Sequence, residues 1–356
     1  MALLYTDRQV FGFDIGRSTI KIVQIDPPGN KNKKGIVRAY GNTTFDPKAI
    51  EKGVITDPAI VVKAAHDLVS NGLVGKLTTR HVALSLPNSH SFSRIINLES
   101  MDEESTAAAV RAEIAQSIPM PITDLYYDYE ATPLGDSGSN EVLIVASPKT
   151  IVDSYMKVVE ALGLIPAVIE PNINSVTRMV VSSEVHDEVS LIIDLGSDAS
   201  DLSVYDGKFV RATGTAECGG EKMSENIASA LGISLQQAHS IKTRYGLDVS
   251  KRQKEILSAL EPELSKLVGE IHKVMRYYND RADEGKQIGQ IILLGGGANL
   301  PGLSSYLTDK TRIPTRLNAP WNKLTFGKLQ PTHELETTIY TTAGGLSLVS
   351  VEDIRQ

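Results

Sequence analysis

The sequence predicts an α/β fold of two related halves, with an αβ segment inserted in the first half and a helix-rich subdomain in the second. The length of 356 residues is too great for one ordinary domain and suits two domains or one duplicated fold. An internal repeat favours duplication. Asp14 and Asp194 lie half a chain apart, each at the centre of a strand–turn–strand pattern and each followed by an apolar residue and a glycine.

The composition excludes several classes of protein. The formal net charge is −7 and the pI is about 5.6, which argues against a general nucleic-acid binder. A single cysteine, Cys218, excludes an internal disulfide framework and a multi-cysteine metal site. No run approaches the roughly 20 apolar residues of a membrane span, and the N-terminus lacks the apolar core of a signal peptide. We therefore expect a soluble cytoplasmic protein, in which any link to a membrane is made through a partner.

The first half begins with two strands around a tight polar turn at residues 11–25. A compact αβ segment at 79–165 follows. Its predicted elements are a strand at 81–86, a helix that starts at a capping box of Ser100 and Glu103 and reaches Ile118, a strand at 141–146, and a helix that starts at Ser147 and Pro148 and ends at Gly163.

The second half repeats the strand–turn–strand pattern at residues 191–205 and becomes rich in helices after Gly220. Its further predicted elements are a helix with a capping box of Ser234 and Gln237, a long helix at 263–281, a strand at 290–294, a glycine loop at 295–297, a helix from Pro301, and a terminal helix at 335–348 that contains Gly344 and Gly345. The glycine pair indicates a close helix contact or a hinge.

These patterns divide the chain into four parts. They are the first half at 1–78, continued at 166–189 and 338–356; the inserted αβ subdomain at 79–165; the second half at 190–220 and 288–337; and the helix-rich small subdomain at 221–287.

The two repeated turns carry the chemistry. A turn between strands presents several backbone N–H groups close together, which suits phosphate oxygens, and Gly16 and Gly196 allow close approach. Asp14 and Asp194 would face each other across a cleft, where two carboxylates need a cation before phosphates can bind. Magnesium, which keeps most of its waters, fits that arrangement. Lys21 could reach the β- or γ-phosphate.

Each pattern alone is weak, since Asp-x-Gly is usually only a turn. Their order is informative: Asp-x-Gly, then Asp-x-Gly-x-x-x-x-Asp, then Gly-Gly-Gly-Ala after an apolar strand, a position at which open α/β folds bind nucleotides. This order resembles the superfamily of actin, heat-shock chaperone ATPases and sugar kinases over nearly the whole chain. The resemblance implies an actin-like ATPase fold with ATP and Mg²⁺ between the halves.

The resemblance also implies individual site residues. Glu170 would orient the attacking water, so that Glu170 and Asp194 are the expected catalytic residues, and Asp14 and Asp194 would hold Mg²⁺ through water. His239 departs from the acidic residue that relatives often place near the ribose. The expected nucleotide contacts are Asp14, Gly16, Arg17, Ser18, Thr19, Lys21, Gly196, Ser197, Asp198, Ser200, Asp201, Gly219, Gly220, Glu221, Lys242, Gly295, Gly296, Gly297 and Ala298.

The inserted segment narrows the resemblance to two families, the cell-division protein FtsA and the type IV pilus assembly protein PilM. Residues 113–122, 127–129, 142–146 and 53–57 are similar to the pilus family, and so is the length. FtsA proteins are usually longer and end in a membrane-binding amphipathic helix, a pattern that this sequence does not show. The chain is therefore identified as a member of the PilM family, with an FtsA-type tether or a small-molecule kinase as alternatives.

Membership of the PilM family implies a cytoplasmic platform of the type IV pilus machine. The implied partner is the cytoplasmic tail of an inner-membrane protein similar to PilN, with the pilus motor ATPases as further contacts. The resemblance leaves ATP hydrolysis open, because an assembly switch can hydrolyse ATP slowly or only with its partners. A kinase would need a sugar pocket, which no pattern here indicates. We expect the tail to dock in a groove between the insert and the first half.

Overall fold

The computed structural model describes residues 9–28, 34–99, 101–133, 138–183, 188–282 and 286–349. Elements of the first half and its insert are β1 (Phe11–Ile15), β2 (Thr19–Asp26), β3 (Gly35–Thr44), β4 (Ile50–Glu51), β5 (Val54–Ile55), α1 (Pro58–Asp67), β6 (Val74–Gly75), β7 (His81–Leu86), β8 (Phe92–Glu99), α2 (Glu103–Ser117), β9 (Leu125–Pro133), β10 (Ser139–Pro148), α3 (Lys149–Ala161), β11 (Ile165–Pro171) and α4 (Asn172–Ser183). Elements of the second half are β12 (Val189–Leu195), β13 (Ser200–Tyr205), β14 (Val210–Ala216), α5 (Gly220–Leu231), α6 (Leu235–Tyr245), α7 (Gln253–Asn279), β15 (Ile288–Leu294), α8 (Leu303–Thr311), β16 (Thr315–Leu317), β17 (Leu324–Thr325) and α9 (Thr341–Ser347).

The two large sheets share one plan. The first has the order β11-β7-β1-β2-β3-β17, with β6 also on β3, and the second has the order β14-β13-β12-β15-β16. In each sheet an antiparallel run of three strands (β3-β2-β1, β14-β13-β12) continues into two parallel strands (β7 and β11, β15 and β16). The predicted α/β fold of two related halves is confirmed.

The register of the first hairpin in each half sets up the site. Asp14 on β1 pairs with Lys21 on β2, and Asp194 on β12 pairs with Asp201 on β13. Opposite residues in an antiparallel pair project to the same face of the sheet. The same position in the two halves is therefore a lysine in one and an aspartate in the other.

Two helices cross between the halves, and each packs on the half opposite to the one that precedes it in the sequence. Helix α4 leaves the first half and packs Val176 and Val180 on the second sheet, against Ile192 and Ile292. Helix α9 returns from the second half and lies on β1, where a Cβ added to Gly12 would be 1.9 Å from the Ala343 carbonyl oxygen. The two helices pack against each other, so that the chain of contacts runs from one sheet through α9 and α4 to the other.

The insert has a sheet of its own, with the order β8-β10-β9, covered on one face by α2. Strand β7 belongs instead to the first large sheet, and Tyr155 and Val158 of α3 pack in the core of the first half. The division of the chain remains a proposal, and these positions favour an insert of about residues 92–148 over the expected 79–165.

Several helix ends differ from the expectations. Helix α2 is capped by Asp102, whose Oδ1 accepts from the Ser105 amide at 2.8 Å, whereas Ser100 lies outside the described residues. Helix α3 has no side-chain cap; Ser147 instead shares a 2.9 Å hydrogen bond with Ser91.

The other predicted helix ends are confirmed or differ from the structure by part of a helix. The capping box of Ser234 and Gln237 at α6 is confirmed. Helix α7 begins at Gln253, well before residue 263, and contains Pro262, while α8 begins at Leu303 rather than Pro301. The expected terminal helix is a 3₁₀ turn, Glu334–Tyr340, followed by α9. Among the described residues, no helix is long and apolar enough to cross a membrane.

A candidate nucleotide site between the two halves

A cavity of about 1270 Å³ lies between the two large sheets, above the range of about 300–1,000 Å³ typical of small-molecule sites. It is lined by most of the predicted nucleotide contacts from both halves. These are Asp14, Gly16, Arg17, Ser18, Thr19, Lys21, Asp194, Gly196, Ser197, Asp198, Asp201, Gly220, Glu221, Lys242, Gly295, Gly296 and Gly297.

The two glycine turns have the same backbone geometry. The Gly16 amide donates to the Thr19 carbonyl at 2.9 Å, and the Gly196 amide donates to the Ala199 carbonyl at 3.0 Å. The Arg17 Nε and Asp198 Oδ2 atoms form a 2.8 Å ion pair that joins one turn to the other. Two equivalent loops thus face each other across the cavity, as a phosphate chain held from both sides requires.

Asp14 is held by two neighbours in the first half. The Lys21 Nζ atom lies 3.0 Å from its Oδ2, and the Ser85 hydroxyl donates to its Oδ1 at 2.8 Å. Lys21 is the cation paired in register with Asp14, and its position beside Gly16 leaves it facing the cavity. The lysine can therefore serve both the carboxylate and an incoming phosphate.

Asp194 in the second half has a different electrostatic environment. Burial first, and then the nearby charges of Asp201 and Asp14, raise its pKa to about 7, while Lys21 acts in the opposite direction. Burial also raises the pKa of Asp201, although Thr215 Oγ1 at 2.9 Å and Asn172 Nδ2 at 3.2 Å donate to its carboxylate. The Asp14, Asp194 and Asp201 carboxylates therefore outnumber the Lys21 cation that acts on them, and this part of the cavity attracts a cation.

The donor set fits magnesium held through its waters rather than directly. Among the residues that the structure describes, no group of three or more His, Cys, Asp or Glu side chains could enclose a metal ion. Gly295 leaves room beside the carboxylate, since an added Cβ would lie 2.3 Å from Asp194 Oδ1. Asp14 and Asp194 on opposite walls suit a hydrated Mg²⁺ that also contacts phosphate.

The other end of the cavity is built from α5, α6 and the glycine loop. The Gly220 and Glu221 amides donate to the Gly196 and Ser197 carbonyls at 3.0 and 2.8 Å, so that α5 begins on the second turn. Lys242 donates to the Gly220 carbonyl, and burial lowers its pKa to about 8.

His239 lines the same end of the cavity. Burial and the nearby Lys242 lower the pKa of the His239 imidazole. A neutral imidazole can both donate and accept, so it can contact ribose hydroxyls without the acidic residue that relatives often carry.

Four predicted residues do not line the cavity: Glu170, Ser200, Gly219 and Ala298. Glu170 is the most consequential, because its carboxylate accepts from the Arg178 guanidinium at 2.7 and 2.8 Å. Arg178 also donates to the Gly345 carbonyl at 3.0 Å, so Glu170 braces the helix pair α4 and α9 instead of facing the ligand space.

The other three support the cavity wall from behind. The Ser200 hydroxyl donates to the Cys218 carbonyl at 2.6 Å. A Cβ added to Gly219 would be 2.1 Å from the Ser197 carbonyl oxygen, so the glycine is needed for packing at the start of α5. Ala298 is buried.

Ser85 and Asn172 are among the lining residues that the sequence analysis missed. A signal existed for Ser85, because it is a lone polar residue within the apolar strand β7. Asn172 is the first residue of α4, two positions after Glu170, and its buried Oδ1 has no hydrogen-bond partner. No sequence pattern shows that Asn172 rather than Glu170 faces the cavity, since this depends on how β11 meets α4.

A family model described as "Type IV pilus assembly protein PilM" matches residues 12–351. Cell division protein FtsA of Enterococcus faecalis is 24% identical over 351 residues, covering 87% of this chain and 78% of the relative. FtsA of Escherichia coli strain K12 is 23% identical over 364 residues, covering 89% and 86%.

Solved structures with the same fold were also found. A "PilM-PilN type IV pilus biogenesis complex" matches with a TM-score of 0.81 and 24% identity, covering 96% of this chain and 98% of that chain. MreB5 of Spiroplasma citri, solved with bound ADP, matches with a TM-score of 0.53 and 12% identity, covering 95% and 94%. These likenesses confirm the actin-like ATPase fold.

Proposed function

The chain belongs to the type IV pilus assembly protein PilM family, and from this premise we propose that it is an ATP-binding platform of pilus assembly. ATP with Mg²⁺ would bind between the halves. The platform would hold the cytoplasmic tail of an inner-membrane protein similar to PilN and so reach the membrane through that partner. Contact with pilus motor ATPases is a further prediction from the family.

The pair of matched glycine turns carries the nucleotide proposal. Gly16 and Gly196 make the same turn hydrogen bond on opposite walls, with Asp14, Asp194 and Lys21 beside them. A single Asp-x-Gly turn is common, whereas two that face each other in a large cavity supply amides from both sides. The solved relative with bound ADP has this fold and supports the assignment.

Each group would have a defined task. Asp14 and Asp194 would orient waters on Mg²⁺, which when bound neutralises phosphate charge, and Lys21 would contact a terminal phosphate. Gly295 to Gly297 and the start of α5 would enclose the nucleoside with Lys242 and His239.

Slow hydrolysis follows from the residue at the β11–α4 junction. The Glu170 carboxylate forms an ion pair with Arg178, and Asn172 lines the cavity instead. An amide can orient water by accepting a hydrogen bond, but it cannot take up a proton as a general base. We therefore propose a nucleotide-binding switch with little turnover, which suits an assembly protein better than a metabolic kinase.

Calorimetry of ATP binding tests the nucleotide proposal. With the full chain, removing Mg²⁺ with a chelator is expected to weaken ATP binding at least tenfold, about 1.4 kcal/mol. Lys21→Met is expected to weaken binding similarly, while Lys222→Met, at an exposed lysine paired with Glu225 outside this cavity, is not. Equal affinity with and without Mg²⁺, or an unaffected Lys21→Met variant, would contradict the proposal.

The insert offers a face for the partner's tail. On its sheet, Val142 and Ile144 of β10 pack under α2, so the alternate residues Leu143 and Val145 point to the other face. Ile95 of β8 pairs with Leu143. These three side chains are half-buried and belong to none of the hydrophobic cores in the described part of the chain. We call them the insert face.

The surroundings of the insert face suit an extended basic and apolar peptide. Its β9 side carries Asp128 and Glu130, which pair in register with Val145 and Leu143. Toward the first half, the Tyr126 hydroxyl donates to Asp153 of α3 at 3.2 Å, so α3 borders the face at that end. Acidic residues around apolar anchors match the Lys- and Arg-rich tails common next to inner-membrane spans. The solved PilM-PilN complex supports a partner of this kind.

Hydrogen exchange with the partner's tail peptide added tests this docking face. Protection is expected in β8, β9 and β10 and along α3. Leu143→Asp should weaken the peptide at least tenfold, whereas Val249→Asp, at a residue 93% exposed in the second half, should not. Protection confined to residues 190–335 would contradict the proposal and place docking on the other half.

A further inference from the structure

An ion-pair cluster joins the insert directly to the second half. The Arg211 guanidinium on β14 donates through Nη1 to Glu141 of β10 and through Nε to Asp206 at 2.6 Å. Its guanidinium carbon also lies 5.2 Å from the centre of the Phe209 ring. Arg211 thus touches two elements that are separate in the sequence and belong to different parts of the fold.

The side chains of the cluster are largely shielded from water, on the insert and on the second half alike. The side chains of Glu141 and Asp206 are only 9% and 4% exposed, and that of Arg211 is 27% exposed. Removing one partner of a buried ion pair leaves an uncompensated charge, so the cluster favours one relative position of the two parts.

Within the second half, Asp206 and Arg211 are held in place by contacts that do not involve the insert. Asp206 accepts from the Lys208 and Phe209 amides at 2.9 and 2.8 Å as well as from Arg211. Burial raises the pKa of Asp206, but these hydrogen bonds and the Arg211 charge outweigh it and lower the pKa overall. Arg211 therefore stays in place when Glu141 moves away, and the contact can open and close.

The β13–β14 hairpin connects Arg211 to the cavity. Asp201 of β13 lines the cavity, pairs in register with Thr215 of β14 and accepts from its hydroxyl. Arg211 lies at the other end of the same two strands, next to the register pair Tyr205 and Val210. A movement of this hairpin at the cavity therefore moves Arg211.

On the insert, Glu141 lies on the same side of the sheet as the insert face. It is two residues before Leu143 on β10, with no register shift between them, so both side chains project to the same side of the sheet. The residue that Arg211 holds is therefore adjacent to the surface proposed for the partner's tail.

We propose that Arg211 is the positioning residue that couples the nucleotide cavity to the partner-binding face of the insert. This inference rests on the proposed function. When the halves close on Mg-ATP, Arg211 holds Glu141 and fixes the insert face; when they open, the contact is lost. Mg-ATP then tightens tail binding, and by linkage the tail tightens ATP binding by the same factor.

The test compares the dissociation constant of a labelled tail peptide with and without saturating Mg-ATP. In the parent protein the ratio should be fivefold or more, within the usual range of coupling between sites. Arg211→Ala and Arg211→Met should bring the ratio to within twofold of one, while each ligand alone still binds. Lys208→Ala removes a cation beside Phe209 on the same hairpin and should keep the parent ratio.

The outcomes separate the two proposals. Absence of ATP binding or of peptide binding in the parent would refute the proposed function. Binding of both ligands, with a parent ratio of one or an Arg211→Met ratio equal to the parent's, would leave the proposed function intact and overturn the coupling role. Melting curves confirm that each variant is folded, and Arg211→Met keeps the apolar stem of the side chain if Arg211→Ala does not fold.

Discussion

The two turns that face each other have the same backbone and opposite electrostatics. Asp14 and Asp194 occupy equivalent positions, but the residue opposite Asp14 is Lys21 and the residue opposite Asp194 is Asp201. The first half balances its carboxylate with its own cation, whereas the second half places two carboxylates together. The duplicated fold thus places backbone amides from both halves at the cavity. The excess negative charge that an added cation would balance lies in the second half.

The halves also differ in where extra structure was added. The insert lies between β7 and α3 of the first half, while helices α5, α6 and α7 lie between β14 and β15 of the second. The insert carries the proposed partner face, and α5 and α6 line one end of the cavity. Additions at different places thus give two equivalent frameworks different surfaces, and Arg211 of β14 is where the insert contacts the second half.

The largest effect is expected where the halves are joined. A Cβ added to Gly345 of α9 would lie 1.8 Å from the Ser175 carbonyl oxygen of α4, whereas one added to Gly344 meets only the Met179 side chain at 3.1 Å. Gly345→Ala should therefore lower the free energy of unfolding by about 3 kcal/mol and Gly344→Ala by less than about 1 kcal/mol. Chemical denaturation measures both. Equal losses would show that the α4–α9 crossing does not hold the halves together.

Much of this framework could be predicted from the sequence. The repeat around Asp14 and Asp194 predicted two halves because strand–turn–strand patterns are local, and the glycine pair of α9 predicted a close helix contact. The cap of α3 could not be predicted from Ser147, because β10 extends through that residue and its hydroxyl bonds Ser91 of another segment. Long-range pairing decides such positions, and no local pattern records it.

The next effect compares the two aspartates. Asp194→Asn should stabilise the nucleotide-free protein at pH 8, because it removes a buried carboxyl whose pKa is raised to about 7 by burial and its neighbours. Asp14→Asn should destabilise it, because the ion pair with Lys21 is lost. Both should weaken Mg-ATP binding. Denaturation and calorimetry on the same two variants measure these signs.

The pH dependence of stability tests independently whether the charged Asp194 carboxylate destabilises the folded protein. Between its unfolded pKa of 3.8 and its folded pKa of about 7, the folded state holds the proton more tightly, so stability falls as pH rises through this window. The loss attributable to this group is on the order of 2 kcal/mol between pH 5 and 8. The loss should be absent from Asp194→Asn. If the Asp194→Asn variant loses as much stability as the parent between pH 5 and 8, ionisation of Asp194 does not destabilise the folded protein.

Strand order places the two turns and the glycine loop along the cavity, and helix α6 adds Lys242. Four predicted residues lie away from it, and Glu170 is the most consequential of these. Glu170 was assigned by resemblance to the acidic residue of a connecting segment. Arg178, two turns along α4, engages that carboxylate, and nothing in the local pattern around Glu170 reveals a partner eight residues away.

The smallest expected effect concerns hydrolysis, and it separates Glu170 from Asn172. Asn172 lines the cavity, holds Asp201 through Nδ2 and leaves a buried Oδ1 without a partner, so a water beside the terminal phosphate can donate to it. Asn172→Ala should slow single-turnover hydrolysis of bound ATP about tenfold, less than the roughly 10²–10⁴-fold of a general acid or base, because the amide orients the water without taking its proton. Glu170→Gln should keep the rate within twofold, because that carboxylate serves Arg178. Asn42→Ala is the matched control, since Asn42 lines the cavity and donates to the Tyr340 hydroxyl at 2.6 Å. Loss of hydrolysis in Glu170→Gln with an unchanged rate in Asn172→Ala would return the water-orienting role to Glu170 and require Arg178 to release it when ATP binds.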